Sequence, residues 1–135
     1  MTEMRERRPR GKRRVVLVTG SRQWTDRDRI FFQLDWSDLD LLVHGDADGA
    51  DAFAAEWATL YGKSVIAMPA LWEVHGRMAG PVRNGLMVSV LELLVSCGWD
   101  ALVLAFPLPG SSGTAGTIRL AERAGIEVRV VEPGT

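Results

Sequence analysis

Apolar residues fall into five short runs, with longer stretches of helical character between them. Residues 14–19 (Arg-Val-Val-Leu-Val-Thr) form a continuous apolar run, the pattern of a strand buried on both faces. Gly20-Ser21-Arg22 turns the chain. Thr25 or Asp26 can then cap a helix running through Asp35, with Ile30, Phe31 and Leu34 on one face. Residues 41–43 predict a short second strand, and the Ala-rich stretch 49–61 predicts a helix that Gly62 stops. Residues 64–68 predict a third strand, 69–80 a long loop, and 81–96 a helix with Pro81 at its first position. A fourth strand over 101–106, a helix over 115–124 and a fifth strand over 127–131 complete the pattern. Alternating strands and helices imply one α/β, Rossmann-like domain: a mainly parallel sheet of about five strands with helices on both faces.

Composition narrows the class. The chain has 135 residues, 47% apolar and 24% charged, which suits one soluble domain with a real core. No uninterrupted apolar run approaches the ~20 residues of a membrane span, and the charged N-terminus does not read as a secretory signal. The cytoplasm is the expected location. The single cysteine, Cys97, excludes an internal disulfide and a cysteine-based metal cluster; near the end of an apolar helix, it reads as a core residue.

Net charge is −1 but unevenly spread. Residues 1–14 carry seven bases and two acids, the remainder nine bases and fifteen acids, so +5 precedes a body of −6. This divides the chain into a basic tail, 1–13, and a domain, 14–135. The tail could touch nucleic acid or anionic lipid weakly, or only solubilise the chain. An acidic body argues against a nucleic-acid-binding domain.

The polar loops 19–24, 44–51, 69–80 and 107–114 each follow a strand, so a parallel sheet places all four on one rim. Ligands bind at that rim in such folds. Pro109-Gly110-Ser111-Ser112-Gly113-Thr114 lies between a strand and a helix. Small residues there let backbone N–H groups and a helix N-terminus approach a phosphate; a plain strand–helix turn is the alternative. Gly20, Ser21 and Arg22 offer a tight turn, a hydroxyl and a guanidinium fork, and Trp24 or Trp72 could stack on a base. Alternatively, 19–24 is a capped turn with a surface arginine. The loop lacks the three glycines of the dinucleotide fingerprint, and no Walker loop is present.

His44-Gly45-Asp46-Ala47-Asp48-Gly49-Ala50-Asp51 crowds three carboxylates. The spacing excludes an EF-hand, and Mg²⁺ through one carboxylate is the remaining metal option. Asp51 suits the first turn of a helix, and Asp46 or Asp48 could read ribose hydroxyls or close an Asx-turn. His44 and His75 make a poor metal pair, having no spacing signature. Arg83, early in its helix, faces either a ligand anion or one of these aspartates.

Val-Thr-Gly-Ser-Arg-x-Trp (18–24), His-Gly-Asp-Ala-x-Gly-Ala-Asp (44–51), Gly-Pro-x-Arg-Asn-x-x-Met (80–87) and Pro-Gly-Ser-Ser-Gly-Thr (109–114) stand in order at four strand ends. Together they resemble the SLOG superfamily, and within it the YspA, YpsA-related branch of small bacterial and phage proteins, over about residues 14–131. The resemblance implies a Rossmann-like fold, a homo-oligomer, and a site for a nucleotide or nucleotide-derived ligand. Its characterised members include "lonely guy" phosphoribohydrolases, sensors of cyclic ADP-ribose variants, and the single-stranded-DNA-binding DNA-processing protein A.

The phosphoribohydrolases carry Pro-Gly-Gly-x-Gly-Thr-x-x-Glu. Here Ser111 replaces the second glycine and Thr117 the closing glutamate, while Arg83-Asn84 with Met87 matches their Arg-Lys pair before a methionine. The arginine is kept and the acid is lost; Asp46, Asp48 or Glu122 would have to substitute. The leading expectation is therefore a sensor or sequestering module for an ADP-ribose-like ligand or nucleoside phosphate. Gly110, Ser111, Ser112, Gly113 and Thr114 would hold phosphate. Gly20, Ser21 and Arg22 would hold a second phosphate or ribose. Arg83, beside Asn84, would neutralise charge, and Asp46 or Asp48, beside Gly45, would read ribose. An N-glycosidic nucleotide hydrolase using Arg83, Asp46 or Asp48 is the alternative, and a nucleic-acid-binding protein using the basic tail is the third.

Overall fold

The computed structural model describes residues 11–134; most of the basic tail lies outside them. Five strands form one sheet: β1 (Arg14–Gly20), β2 (Leu41–His44), β3 (Ser64–Ala67), β4 (Asp100–Phe106) and β5 (Glu127–Val130). Their order is β3-β2-β1-β4-β5, and every neighbouring pair is parallel. The helices are α1 (Arg27–Ser37), α2 (Ala50–Leu60), α3 (Trp72–His75), α4 (Ala79–Ser96) and α5 (Ser112–Arg123), with a 3₁₀ turn over Gly76–Met78. This is a single Rossmann-like α/β domain.

Strand periodicity explains the core. Val16 and Val18 of β1 join Leu102 and Leu104 of β4 against Ile30 and Leu34 of α1 and Ala54 and Trp57 of α2. Val15 and Leu17 point to the other face, where Val103 meets Met87, Val88 and Leu91 of α4 and Ala121 of α5. Both faces of the central strands are covered, which is why their sequences run apolar without alternation. At the amino end of β1 the buried Arg14 donates to the Asp100 carboxylate at 2.6 Å and to the Ser37 carbonyl at 2.9 Å.

Several boundaries differ from expectation. Asp26 caps α1, accepting from Arg29 N at 3.1 Å, but the helix continues to Ser37. The segment expected as one long loop contains α3 and the 3₁₀ turn, so α4 starts at Ala79 and Pro81 occupies its third position. Proline is tolerated there because first-turn N–H groups lack intrahelical acceptors. α5 begins three residues early, at Ser112. Cys97 is exposed rather than buried, because α4 ends at Ser96 and the chain turns outward. The helical stretch Trp72–Ser96 is also long and apolar enough, by length and composition alone, to cross a membrane. In this fold Met87, Val88 and Leu91 seat it on the sheet.

Candidate functional site

The strand order reverses between β1 and β4, because the chain builds β2 and β3 on one side of β1 and β4 and β5 on the other. Loops leaving β1 and β4 must diverge there, which opens a crevice beyond their carboxyl ends. A cavity of about 750 Å³ occupies it. Its walls are Thr19–Gln23, Pro109–Thr114, the start of α4 including Arg83 and Asn84, and Trp72, Arg77 and Arg119; Ala47 and Asp51 reach it from the β2 side. Four arginines therefore line the cavity (Arg22, Arg77, Arg83 and Arg119), against one carboxylate, Asp51.

The β4 side supplies backbone donors. Ser111 N donates to Leu108 O at 3.0 Å, Ser112 N to Gly110 O at 2.9 Å, and the Ser111 hydroxyl accepts from Leu108 N at 3.0 Å. These bonds hold the turn rigid. The next two N–H groups, of Gly113 and Thr114 in the first turn of α5, have no hydrogen-bond partner among the described residues. Unsatisfied N–H groups at the positive end of a helix favour negative charge beside them.

The β1 side is fixed by close backbone packing. A Cβ on Gly20 would come within 2.6 Å of the Ala50 Cβ and 2.9 Å of the Phe106 carbonyl oxygen. Ser21 N donates to Phe106 O at 3.0 Å, while Ser21 O accepts from both Trp24 N and Ala50 N at 3.2 Å. Gly49 has φ +71, and a side chain there would run into the carbonyls of Ser21 and Arg22. The loops after β1 and β2 are thus locked together by glycines. Arg22 lies over the ring of Trp72 at 5.8 Å, which ties the β1 loop to α3 at the cavity mouth.

Arg83 and Asn84 cross the cavity floor. The Arg83 guanidinium donates to the carbonyls of Gly45 and Met68 through Nη1, and to Asn84 Oδ1 at 2.8 Å through Nε. Asn84 Nδ2 in turn donates to Gly113 O at 3.4 Å. One pair of residues therefore braces the β2 loop against the β4 loop. Arg83 Nη2 has no hydrogen-bond partner among the described residues. Burial lowers the Arg83 pKa, with Asp51 pulling the other way.

Asp51 is buried in the first turn of α2, and its Oδ2 accepts from Gly45 N at 3.0 Å and Ala47 N at 3.3 Å. Burial lifts its carboxyl to about 6, against the opposing pull of the Ala47 N–H, Arg83 and the Gly45 N–H.

The YspA, cpYpsA-related SLOG family description matches residues 14–75, the part of the chain that supplies the β1 loop and Asp51. The Gene 61 protein of Mycobacterium phage D29 is 42% identical over 125 residues, spanning 85% of this chain and 94% of the relative. The chain belongs to the YspA, cpYpsA-related SLOG family.

In this SLOG chain the cavity gathers Gly20, Ser21, Arg22, Arg83, Asn84, Trp72 and the 110–114 turn on one rim. Three expectations need correction. Trp24 is 3% exposed, packs edge-on against Phe106 and donates from its indole to Asp26 O at 2.8 Å, so it is core rather than a stacking platform. Asp46 and Asp48 are exposed and do not line the cavity; the carboxylate there is Asp51, which sequence reasoning had placed only at a helix start. Gly45 is buried under Arg83, which bonds its carbonyl, and so acts as a support beneath the cavity.

Thr117, where the phosphoribohydrolases keep their glutamate, is fully buried and donates to Gly113 O at 3.2 Å. Glu122 is exposed on the far half of α5 and does not line the cavity. His44 is buried, its Nδ1 accepts from Asp46 N at 2.9 Å, and burial lowers its pKa, which suits a neutral structural imidazole. No group of three or more metal-ligating side chains occurs among the described residues.

Proposed function

We propose that the cavity binds a phosphorylated, nucleotide-type ligand, and that the protein works by sensing or sequestering it. The observation that carries this reading is the pair of unpartnered N–H groups, Gly113 and Thr114, in a cavity with four arginines and one carboxylate. Arg83 is half-buried and the other three are exposed at the mouth, so four cations converge on one cavity and repel one another unless an anion offsets them. A phosphate on the α5 N-terminus would use the N–H pair, and Arg83 would face it from the floor. The volume of about 750 Å³ exceeds what an inorganic anion fills and matches a ligand with a sugar and base. Trp72, half-exposed and already under a guanidinium, offers the stacking surface.

The second reading, hydrolysis of an N-glycosidic bond, is favoured by one observation: Asp51 places in the cavity a carboxyl that titrates at about 6. Acid–base catalysis works best with such a group. Native mass spectrometry of the purified protein, with identification of any small molecule freed on denaturation, separates the two. A retained nucleotide or ADP-ribose-like species is the expected result. An empty protein that releases free base from nucleoside monophosphates would transfer the assignment to the hydrolase.

A further inference from the structure

Asp51 makes an asymmetric set of contacts. Its Oδ2 takes both available N–H donors, from Gly45 and Ala47. Its Oδ1 has no hydrogen-bond partner among the described residues, although the residue is only 5% exposed and lines the cavity. A buried carboxylate oxygen left without a donor is costly, and such exceptions call for a partner. Arg83 is close enough to interact electrostatically with Asp51, and Arg83 leads through Asn84 to Gly113 in the anion cradle. Asp51 is therefore separated from the phosphate cradle by two side chains. In a nucleotide, the group next to the phosphate is the sugar, whose vicinal hydroxyls are donors.

We propose that Asp51 is the sugar-reading residue of the cavity, its Oδ1 accepting a hydrogen bond from a ribose hydroxyl of the bound nucleotide. The proposal rests on the nucleotide reading above and assigns to Asp51 the role that the exposed Asp46 and Asp48 do not fill. With Oδ2 saturated by two N–H groups, a proton taken up by this carboxyl goes to Oδ1 and removes its role as an ionised acceptor. The groups facing it are Arg83 from α4, Asp46 from its own loop, and the two N–H donors. Ribose discrimination is thus tied to the ionised form of Asp51.

The test uses the full-length protein and calorimetric titration with ADP, 2′,3′-dideoxy-ADP and pyrophosphate. Wild type is expected to prefer ADP over the dideoxy compound by about ten-fold at pH 7.5. Asp51→Asn keeps an oxygen for the two N–H groups but turns a donor toward the cavity. It should erase that preference and leave pyrophosphate affinity within about two-fold. A merely structural role would weaken all three ligands together. In wild type, the ADP-to-dideoxy ratio should shrink about three-fold between pH 7.5 and 5.5, while phosphate titration cancels in the ratio. A folded Asp51→Asn protein that keeps the preference overturns the proposal; if the variant does not fold, a wild-type ratio unchanged with pH overturns it. Pyrophosphate binding without an ADP preference sinks this assignment alone. Failure of all three ligands sinks the nucleotide reading with it.

Discussion

Asp51 shows how one residue reports on the site through stability. In the fold its carboxyl holds a proton up to about pH 6, whereas the unfolded chain releases it near 3.8. Between those values the folded state binds more protons than the unfolded one, so this group's contribution to stability declines as pH rises from about 4 to 6. Above that window the contribution is constant. The full decline amounts to about 3 kcal/mol. Urea unfolding of wild type and Asp51→Asn across this range should give stability curves that diverge by roughly that amount, the variant lacking the decline. Parallel curves would show that the carboxyl is solvated and that its apparent burial has no energetic consequence. A shifted carboxyl that also lines a cavity is a candidate functional group, and its stability signature is what this comparison reads.

At the scale of elements, the site is made by where helices begin. α5 starts at Ser112, which brings Gly113 and Thr114 into its first turn and leaves their N–H groups without a partner among the described residues. Gly113 has ordinary helical geometry, and a Cβ there would meet only Asn84 Nδ2 at 4.0 Å. Gly113→Val should therefore cost no more than about 1 kcal/mol in stability, since valine is at least as good a helix former as glycine. Its branched side chain would nevertheless cover the cradle and reduce phosphate affinity by at least about a hundred-fold in titration calorimetry. Unchanged affinity would move the anion to the arginines alone.

The strand runs and the positions of the polar loops were legible because β1 and β4 are apolar without interruption and each loop follows a strand. The start of α5 was not: Ser-Ser-Gly-Thr has poor helix propensity, and at its start the chain meets Asn84 of α4, a partner distant in sequence. Asp51 was read correctly at the start of α2, but its place in the cavity, like the burial of Trp24, was missed for a related reason. Which side chain turns inward depends on backbone contacts at Gly20, Gly45 and Gly49 with distant partners, and no local pattern encodes those.

Across the whole molecule, topology and charge act together. All five strands are parallel, so every loop that lines the cavity lies at their carboxyl ends, while Arg14 begins β1 at the opposite end. Seven residues of extended chain put that entry point ~20 Å from the rim. The basic segment thus joins the domain on the side away from the arginines of the cavity. Residues 1–10 carry four bases and two acids, and the remaining 125 residues carry a net −3. If the cavity binds nucleotide as proposed, that local affinity is separable from any diffuse, counterion-release affinity of the basic residues at the start of the chain. Removing residues 1–10 should leave nucleotide affinity within about two-fold, because no cavity residue is lost. The same truncation should abolish retention of a single-stranded DNA oligonucleotide at ~20 mM salt, retention that the full chain also loses by ~150 mM. Fluorescence anisotropy with labelled DNA, run on both proteins over a salt series, decides the matter. DNA binding that survives truncation and competes with nucleotide would place the nucleic acid in the cavity itself and replace the small-ligand assignment.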